Sequence, residues 1–245
     1  MGFFRYNTDP EKNQAKLNVS LSASPTLSIS DPNAVLLLTV SVSIASTKDK
    51  QHSQKPLTIC TENGVFEQVE RGQDDIDIFA RSGFSPLCFA GSESHGSNSI
   101  SLGHFRMQRH SDSEAEDMRE RQYRFLTVPP VEQQDAAGAT ASITHELDWT
   151  RIFKYEEKRT KEDLVPGEKF EINMVSGSIG TDWWCWGDLN GGLKGKKLHI
   201  WHEHEGYYGE EKPEKDESWI LGEDPMHLDW EDITPGGKAT FTIVK

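Results

Sequence analysis

Forty acidic against 26 basic side chains give this 245-residue chain a net charge of −14, a surface that repels phosphate backbones and anionic lipid and so disfavours nucleic acid and membranes as partners. The length suffices for a sizeable core, as one large domain over 1–245 or as two small ones over 1–130 and 131–245. Three widely spaced cysteines, Cys60, Cys88 and Cys185, argue against a disulfide framework and for a reducing, cytoplasmic compartment.

Met1 to Asn7 lacks the long apolar stretch of a secretory leader, and the longest apolar run, 34–38, is far too short to span a bilayer. Residues 16–23 alternate Leu17, Val19 and Leu21 with small polar side chains, the pattern of a half-buried strand. Pro25 and Asp31-Pro32-Asn33 then punctuate the approach to residues 34–46. There Leu36, Leu38, Val40, Val42 and Ile44 share one wholly apolar face, which must look into a core. A polar loop over 48–55 leads to a strand at 56–60. Further short strands are expected at 76–80, 87–90, 100–107, 123–128, 141–147, 170–174, 183–186, 198–204, 219–221 and 240–244. Residues 113–122 read as a short, charged, solvated helix. Two long excursions interrupt the rhythm, one over 91–121 and an acidic one with aromatics over 205–229.

Two corners nearly repeat one another: Leu164-Val165-Pro166-Gly167 and Ile233-Thr234-Pro235-Gly236. Proline presets φ for the second position of a turn, and glycine accepts the positive φ that a type II turn needs next. Each corner should therefore feed a strand. Many short strands, Gly/Pro turns and no βαβ alternation predict an all-β, two-sheet, mostly antiparallel β-sandwich. The Leu17/Val19/Leu21 strand, the 34–46 strand, Leu164-Val165-Pro166-Gly167 with the strand after it, and Trp183-Trp184-Cys185-Trp186-Gly187 resemble intracellular Ig-like and arrestin-like β-sandwich proteins, among them uncharacterised proteins of filamentous fungi. The resemblance implies a fold and carries no activity.

Two constellations are candidates for chemistry. On a strand over 198–204, His202 and His204 look one way while His199, Trp201 and Glu203 look the other. A His-x-His pair holds a divalent metal when a third ligand completes it, here His227, Asp229 or His145. Against this stands a plain solvated sheet end, since Glu205-Gly206 closes the strand. In 183–186, Trp184 and Trp186 share a face opposite Trp183 and Cys185. Core filling is the plain expectation. The functional one is a wall of Trp183, Trp184, Trp186, Trp201 and Tyr207 for an apolar or aromatic ligand. Cys185 has no sequence neighbour that would activate it and reads as a structural thiol. The acidic run 222–232 reads as a solvated loop, and Ser111 and Ser113 precede acidic residues as acidophilic-kinase sites do. No Walker loop, nucleophile elbow, zinc-protease motif or dinucleotide fingerprint occurs.

The expected function is an intracellular binding module that holds a small molecule or a protein partner through the Trp/His-rich face. The alternative is an isomerase-, cyclase- or lyase-type enzyme without organic cofactor, in which His202, His204 and His227 move protons, with or without a divalent metal on His202 and His204. A third reading is an arrestin-like interaction scaffold. The site is expected where the 183–186 strand, the 199–204 strand and the 205–229 excursion meet.

Overall fold

In the computed structural model, residues 10–68, 76–90, 99–105, 117–133, 140–199 and 218–245 are described. In chain order the strands are β1 (Ala15–Ala23), β2 (Thr26–Ser28), β3 (Val35–Thr47), β4 (Leu57–Cys60), β5 (Leu87–Phe89), β6 (Ser99–Ile100), β7 (Phe125–Val128), β8 (Ala141–Asp148), β9 (Lys169–Ile172), β10 (Trp184–Trp186), β11 (Lys197–His199), β12 (Trp219–Leu221), β13 (Leu228–Asp232) and β14 (Ala239–Val244). One α-helix, α1 (Trp149–Phe153), lies between β8 and β9. The chain is all-β.

β1 and β3 pair antiparallel and bury the faces that their alternation marks. Leu17, Val19 and Leu21 meet Leu36, Leu38, Val40, Val42 and Ile44, none more than 3% exposed. With β13 and β8 on the outside they form a sheet of order β13-β1-β3-β8. A second sheet has the order β2-β14-β9-β5-β6, a third β10-β4-β7, and β11 and β12 form a ribbon. The β1–β13, β2–β14 and β11–β12 pairings are parallel. Each sheet of three or more strands draws on both halves of the chain. Leu87, Ile100, Phe170, Ile172, Phe241 and Ile243 of the second sheet share one core with β1 and β3. A smaller core of Cys60, Met118, Trp183, Cys185, Leu193 and Leu198 covers the other face of the third sheet. No described helix is long and apolar enough to cross a membrane. Cys60, Cys88 and Cys185 carry no disulfide.

Both Pro-Gly corners feed strands. In the first, Gly167 has φ +99° and the Glu168 N–H donates to the Val165 carbonyl at 3.0 Å, just before β9. In the second, Gly236 has φ +65° and the Gly237 N–H donates to the Thr234 carbonyl at 2.7 Å, just before β14. These are the positive-φ glycine positions of the turn the sequence implies.

Several expected elements differ. Residues 76–80 are a turn, because the Asp77 carboxylate accepts from the Ala80 N–H at 2.9 Å and offers the backbone a local partner. The turn ends with the Ser82 N–H on the Phe79 carbonyl and the Gly83 N–H on the Ile78 carbonyl, a helix-stop arrangement with Ser82 at φ +65°. Of the strand expected over 100–107, the described residues 100–105 keep only the end of β6, since Gly103 turns the chain at φ +103°. The described part of 113–122 is a turn rather than a solvated helix, and Met118 is buried in the smaller core. The acidic run is no solvated loop: it contains β13, with Leu228 and Trp230 buried and Asp229 and Glu231 outside. β2 and α1 have no counterpart among the expected elements. Asp148 caps α1 by accepting from the Arg151 N–H at 2.8 Å. Trp149 and Ile152 pin the helix against Leu27, Leu87, Phe170 and Leu164 of the second sheet and its approach. The chain thus crosses from the first sheet to the second over residues 149–168.

Candidate functional site

β10 turns alternate residues to opposite sides, and both sides are interior. Trp184 is fully buried in the main core, its indole N–H donates to the Asp224 carbonyl at 2.9 Å, and its ring meets Trp186 edge-on at 5.7 Å. Trp183 is fully buried in the smaller core, its N–H donates to the His199 carbonyl at 2.9 Å, and its ring stands edge-on to Phe125 at 5.5 Å. Gly222 makes room for it: a Cβ there would lie 2.0 Å from the Trp183 ring. Trp186 is half-buried and stacks on His52 at 4.5 Å. Both fully buried indoles therefore have their polar tips bonded to main-chain carbonyls.

The Glu223 N–H donates to the Trp184 carbonyl at 2.8 Å, which draws the 222–227 segment onto β10. His227 follows, with Nε2 4.0 Å from the Asp224 carboxylate, while the Asp224 side chain caps the turn by accepting from the Met226 N–H at 2.9 Å. Trp183, Trp184 and His199 are thus tied to one another and to the 222–224 segment by indole and main-chain hydrogen bonds. Trp201, His202, His204 and Tyr207 lie outside the described residues, as do Ser111 and Ser113. Among the described residues, no group of three or more His, Cys, Asp or Glu is placed to hold a metal ion. Asp229 is exposed on β13, and His145, the other proposed third ligand, lies in an apolar slot on β8, edge-on to Phe79 and to Phe84 at 5.3 Å each. Burial, followed by the charge of Glu223, pushes the Cys185 thiol up to about 12, which suits an inert interior thiol.

Polar groups cluster near His145. Its Nε2–H donates to the Val65 carbonyl at 2.8 Å. Burial pulls the imidazole below the ordinary histidine range, against the opposing pull of the Val65 carbonyl and the Asp77 charge. Asp77 is clamped by Arg151 through two bonds, one of them Nη2 to Oδ1 at 2.6 Å, and Arg151 Nη2 also donates to the Leu102 carbonyl at 3.0 Å. Arg81 holds Glu67 through Nη1 at 2.8 and 3.0 Å. Ser82 Oγ and His104 Nδ1 lie 2.7 Å apart, the reach of a nucleophile–base pair. The next N–H, that of Gly83, is bonded to the Ile78 carbonyl at 2.8 Å and is not an oxyanion donor. The contact locks a strained turn to the 103–105 segment, which the Phe105 N–H also ties to the Ala80 carbonyl at 2.7 Å.

An open cleft of about 560 Å³ lies between the 149–168 crossing and the end of β5, lined by Phe89, Lys158, Arg159, Asp163 and Glu168. Its carboxylates shape the backbone. Asp163 accepts from the Thr160 N–H at 2.8 Å and from its hydroxyl at 3.1 Å, a capping box. Glu168 accepts from the Val165 N–H at 2.7 Å and braces the first Pro-Gly corner. Glu156 accepts from the Lys158 and Ser101 N–H groups at 2.8 and 2.7 Å. Of its two cations, Arg159 lies 4.7 Å over Phe89, which packs on Phe170 at 4.5 Å. Nearby, Lys161 lies 4.7 Å over Trp149 and Lys154 5.5 Å over Tyr155.

A search for aromatic and histidine density does not find this region, but charge patterning does. Residues 151–161 hold five cations (Arg151, Lys154, Lys158, Arg159, Lys161) and two acids (Glu156, Glu157), so five minus two leaves +3 in a chain of net −14. No family model matches the chain, and no curated protein or solved structure matches it.

Proposed function

We propose that the chain is a binding module that holds a protein partner, built as an Ig-like or arrestin-like β-sandwich with a third, smaller sheet beside the two large ones. The observation that carries this reading is the form of the cleft at the 149–168 crossing, which is open and rimmed by charge. Small-molecule sites are closed, mostly apolar and bury most of their ligand. A shallow cleft with one aromatic floor residue, Phe89, and mixed charges at its rim suits side chains presented by another protein. Beside it, side chains of the second sheet and of α1 are buried in the main core, an anchorage that lowers the ordering cost of association.

Site-specific photo-crosslinking tests it. A crosslinker at position 158 is expected to give a saturable adduct with a defined protein, absent from one at position 50 in the loop after β3. Equal adducts from both positions, or a stoichiometric small molecule retained in native mass spectrometry without any adduct from 158, would remove the cleft from the function.

A further inference from the structure

We infer that β8 is the seam of a homodimer and pairs antiparallel with β8 of a second copy, an inference independent of the cleft. Main-chain direction alternates along a strand, so a few bonds orient the whole sheet. The Ser24 N–H donates to the Leu37 carbonyl at 2.8 Å, and the Leu37 N–H donates to Ser24 Oγ at 3.2 Å. Leu37, Thr39 and Ser41 therefore aim at β1. On the far side of β1, the Leu21 N–H donates to Thr234 Oγ1 at 2.9 Å and the Val19 carbonyl accepts from the Ile233 N–H at 2.8 Å, which fixes the same alternation. Leu38, Val40 and Val42 then aim at their partners His145, Ile143 and Ala141 on β8. Ser142 and Thr144, between those partners, point their main-chain N–H and C=O out of the sheet. Nothing among the described residues bonds those main-chain groups.

Natural edges are short, bulged, covered or guarded by proline or lysine, because a bare edge recruits another strand. The other described edge strands run for two to five residues, whereas β8 runs for eight. Its register on β3 is unbroken, and it holds no proline, lysine or glycine. β7 of the third sheet comes near it but pairs only with β4. A second copy of the same edge suits it. Pairing about Ile143 sets Ser142 of each copy opposite Thr144 of the other, so each pair exchanges both its N–H···O bonds across the seam. It places the two half-buried Ile143 side chains against one another as a close, non-hydrogen-bonded pair, and each Glu146 opposite a Thr140 hydroxyl. Pairing about Glu146 would instead set carboxylate against carboxylate. Pairing further along runs into α1, where Asp148 caps the helix and the chain leaves the sheet.

Analytical ultracentrifugation of the full chain over a concentration series tests it. A monomer–dimer equilibrium is expected, and it should tighten as salt rises, because screening weakens the repulsion between two chains of net charge −14. Ser142→Lys/Thr144→Lys sets lysine against lysine in both pairs and should weaken the dimer at least about tenfold. Mixing that variant with Ser142→Glu/Thr144→Glu should restore association. Circular dichroism verifies that both variants are folded. With Cys88→Ser as background, Ile143→Cys should join two copies by a disulfide on oxidation, since the close pair brings Cα atoms to about 4.5 Å. Leu37→Cys, exposed on the sheet face but away from the edge, should not. A native chain that is monomeric at every concentration overturns the inference, even where the edge then takes an extended peptide from another protein. A dimer that survives the paired lysines, loosens as salt rises or is not cross-linked by Ile143→Cys lies on another surface and overturns it too.

Discussion

Around β10, indoles turn inward and donate to carbonyls; along residues 151–161, aromatic rings lie under cations at the surface. Both regions are rich in residues that bind things, and burial separates them. Trp183 and Trp184 are fully buried and occupy the two cores on either side of one short strand. Phe89 and Tyr155 are only half-buried, each with a cation over its ring. Aromatic density in a sequence therefore marks where a β-protein packs as readily as where it binds. Charge that departs locally from the overall balance is the better pointer to a surface.

The sharpest way to break this comparison is to remove a buried indole. Trp183→Ala is expected to destabilise the fold by about 3–5 kcal/mol in urea titrations, from lost transfer energy plus the cavity left behind. A loss below about 1 kcal/mol, the range of ordinary surface changes and small effects, would mean that the ring is not core. Gly222→Ala drives a methyl into the same ring and should cost about 1–3 kcal/mol by overpacking.

A comparable effect is expected at the root of the crossing segment. Asp77 and Arg151 are mostly buried, and Asp77→Ala strands the guanidinium and removes the Ala80 cap. Breaking such a pair costs about 3–5 kcal/mol, whereas replacing both partners by apolar groups recovers much of it. The double variant Asp77→Ala/Arg151→Met should therefore be more stable than Asp77→Ala alone. Equal stability would show that the pair does not anchor the segment.

The sequence displays strands wherever alternation is strict and both neighbours are ordinary. Leu17, Val19 and Leu21, the apolar face of β3, and the two Pro-Gly corners are legible because periodicity and turn chemistry are local properties. The 76–80 turn is not, because Ile78, Phe79 and Ala80 are apolar in any conformation and only Asp77, acting as a cap, decides between them. β13 shows alternation, with Leu228 and Trp230 against Asp229 and Glu231, but the surrounding carboxylates hide it. Its position beside β1 is a long-range parallel pairing that no local pattern encodes. The cleft is invisible for the same reason: Phe89 and Arg159 meet only after β5 and β9 have paired. The tryptophan strand was visible as a cluster, whereas its burial depends on two cores closing over a three-residue strand.

A smaller effect distinguishes the buried polar groups from the surface cations by pH. His145 is held neutral by burial. The unfolded chain takes up a proton near the ordinary histidine pKa of about 6.5, and the folded protein only at lower pH. The unfolded state then binds the extra proton, so this contribution to stability is complete above that value and is lost as pH falls below it, by at most about 1.4 kcal/mol per pH unit. His145→Gln, which keeps a donor toward Val65, should flatten the difference between urea midpoints at neutral pH and at roughly pH 5. An unchanged pH dependence would assign the acid sensitivity to other groups.

The smallest expected effect on stability belongs to the cleft itself, and this separates the two regions most cleanly. Lys158 is exposed and Arg159 half-buried over Phe89, so Lys158→Ala and Arg159→Ala each remove a cation from the surface and leave the buried side chains in place. Exposed cation–ring contacts contribute about 0.5–1 kcal/mol, and a solvated lysine stem less. Both variants should unfold within about 1 kcal/mol of the native chain. The same substitutions should abolish the saturable adduct formed from a crosslinker placed elsewhere on the cleft rim, at position 163. Trp183→Ala should show the reverse, a large loss of stability with the adduct retained wherever the protein remains folded. If Arg159→Ala instead unfolds the chain as Trp183→Ala does, the cation is a structural clamp over the second sheet, and the contrast between an interior aromatic region and a binding one fails at this residue.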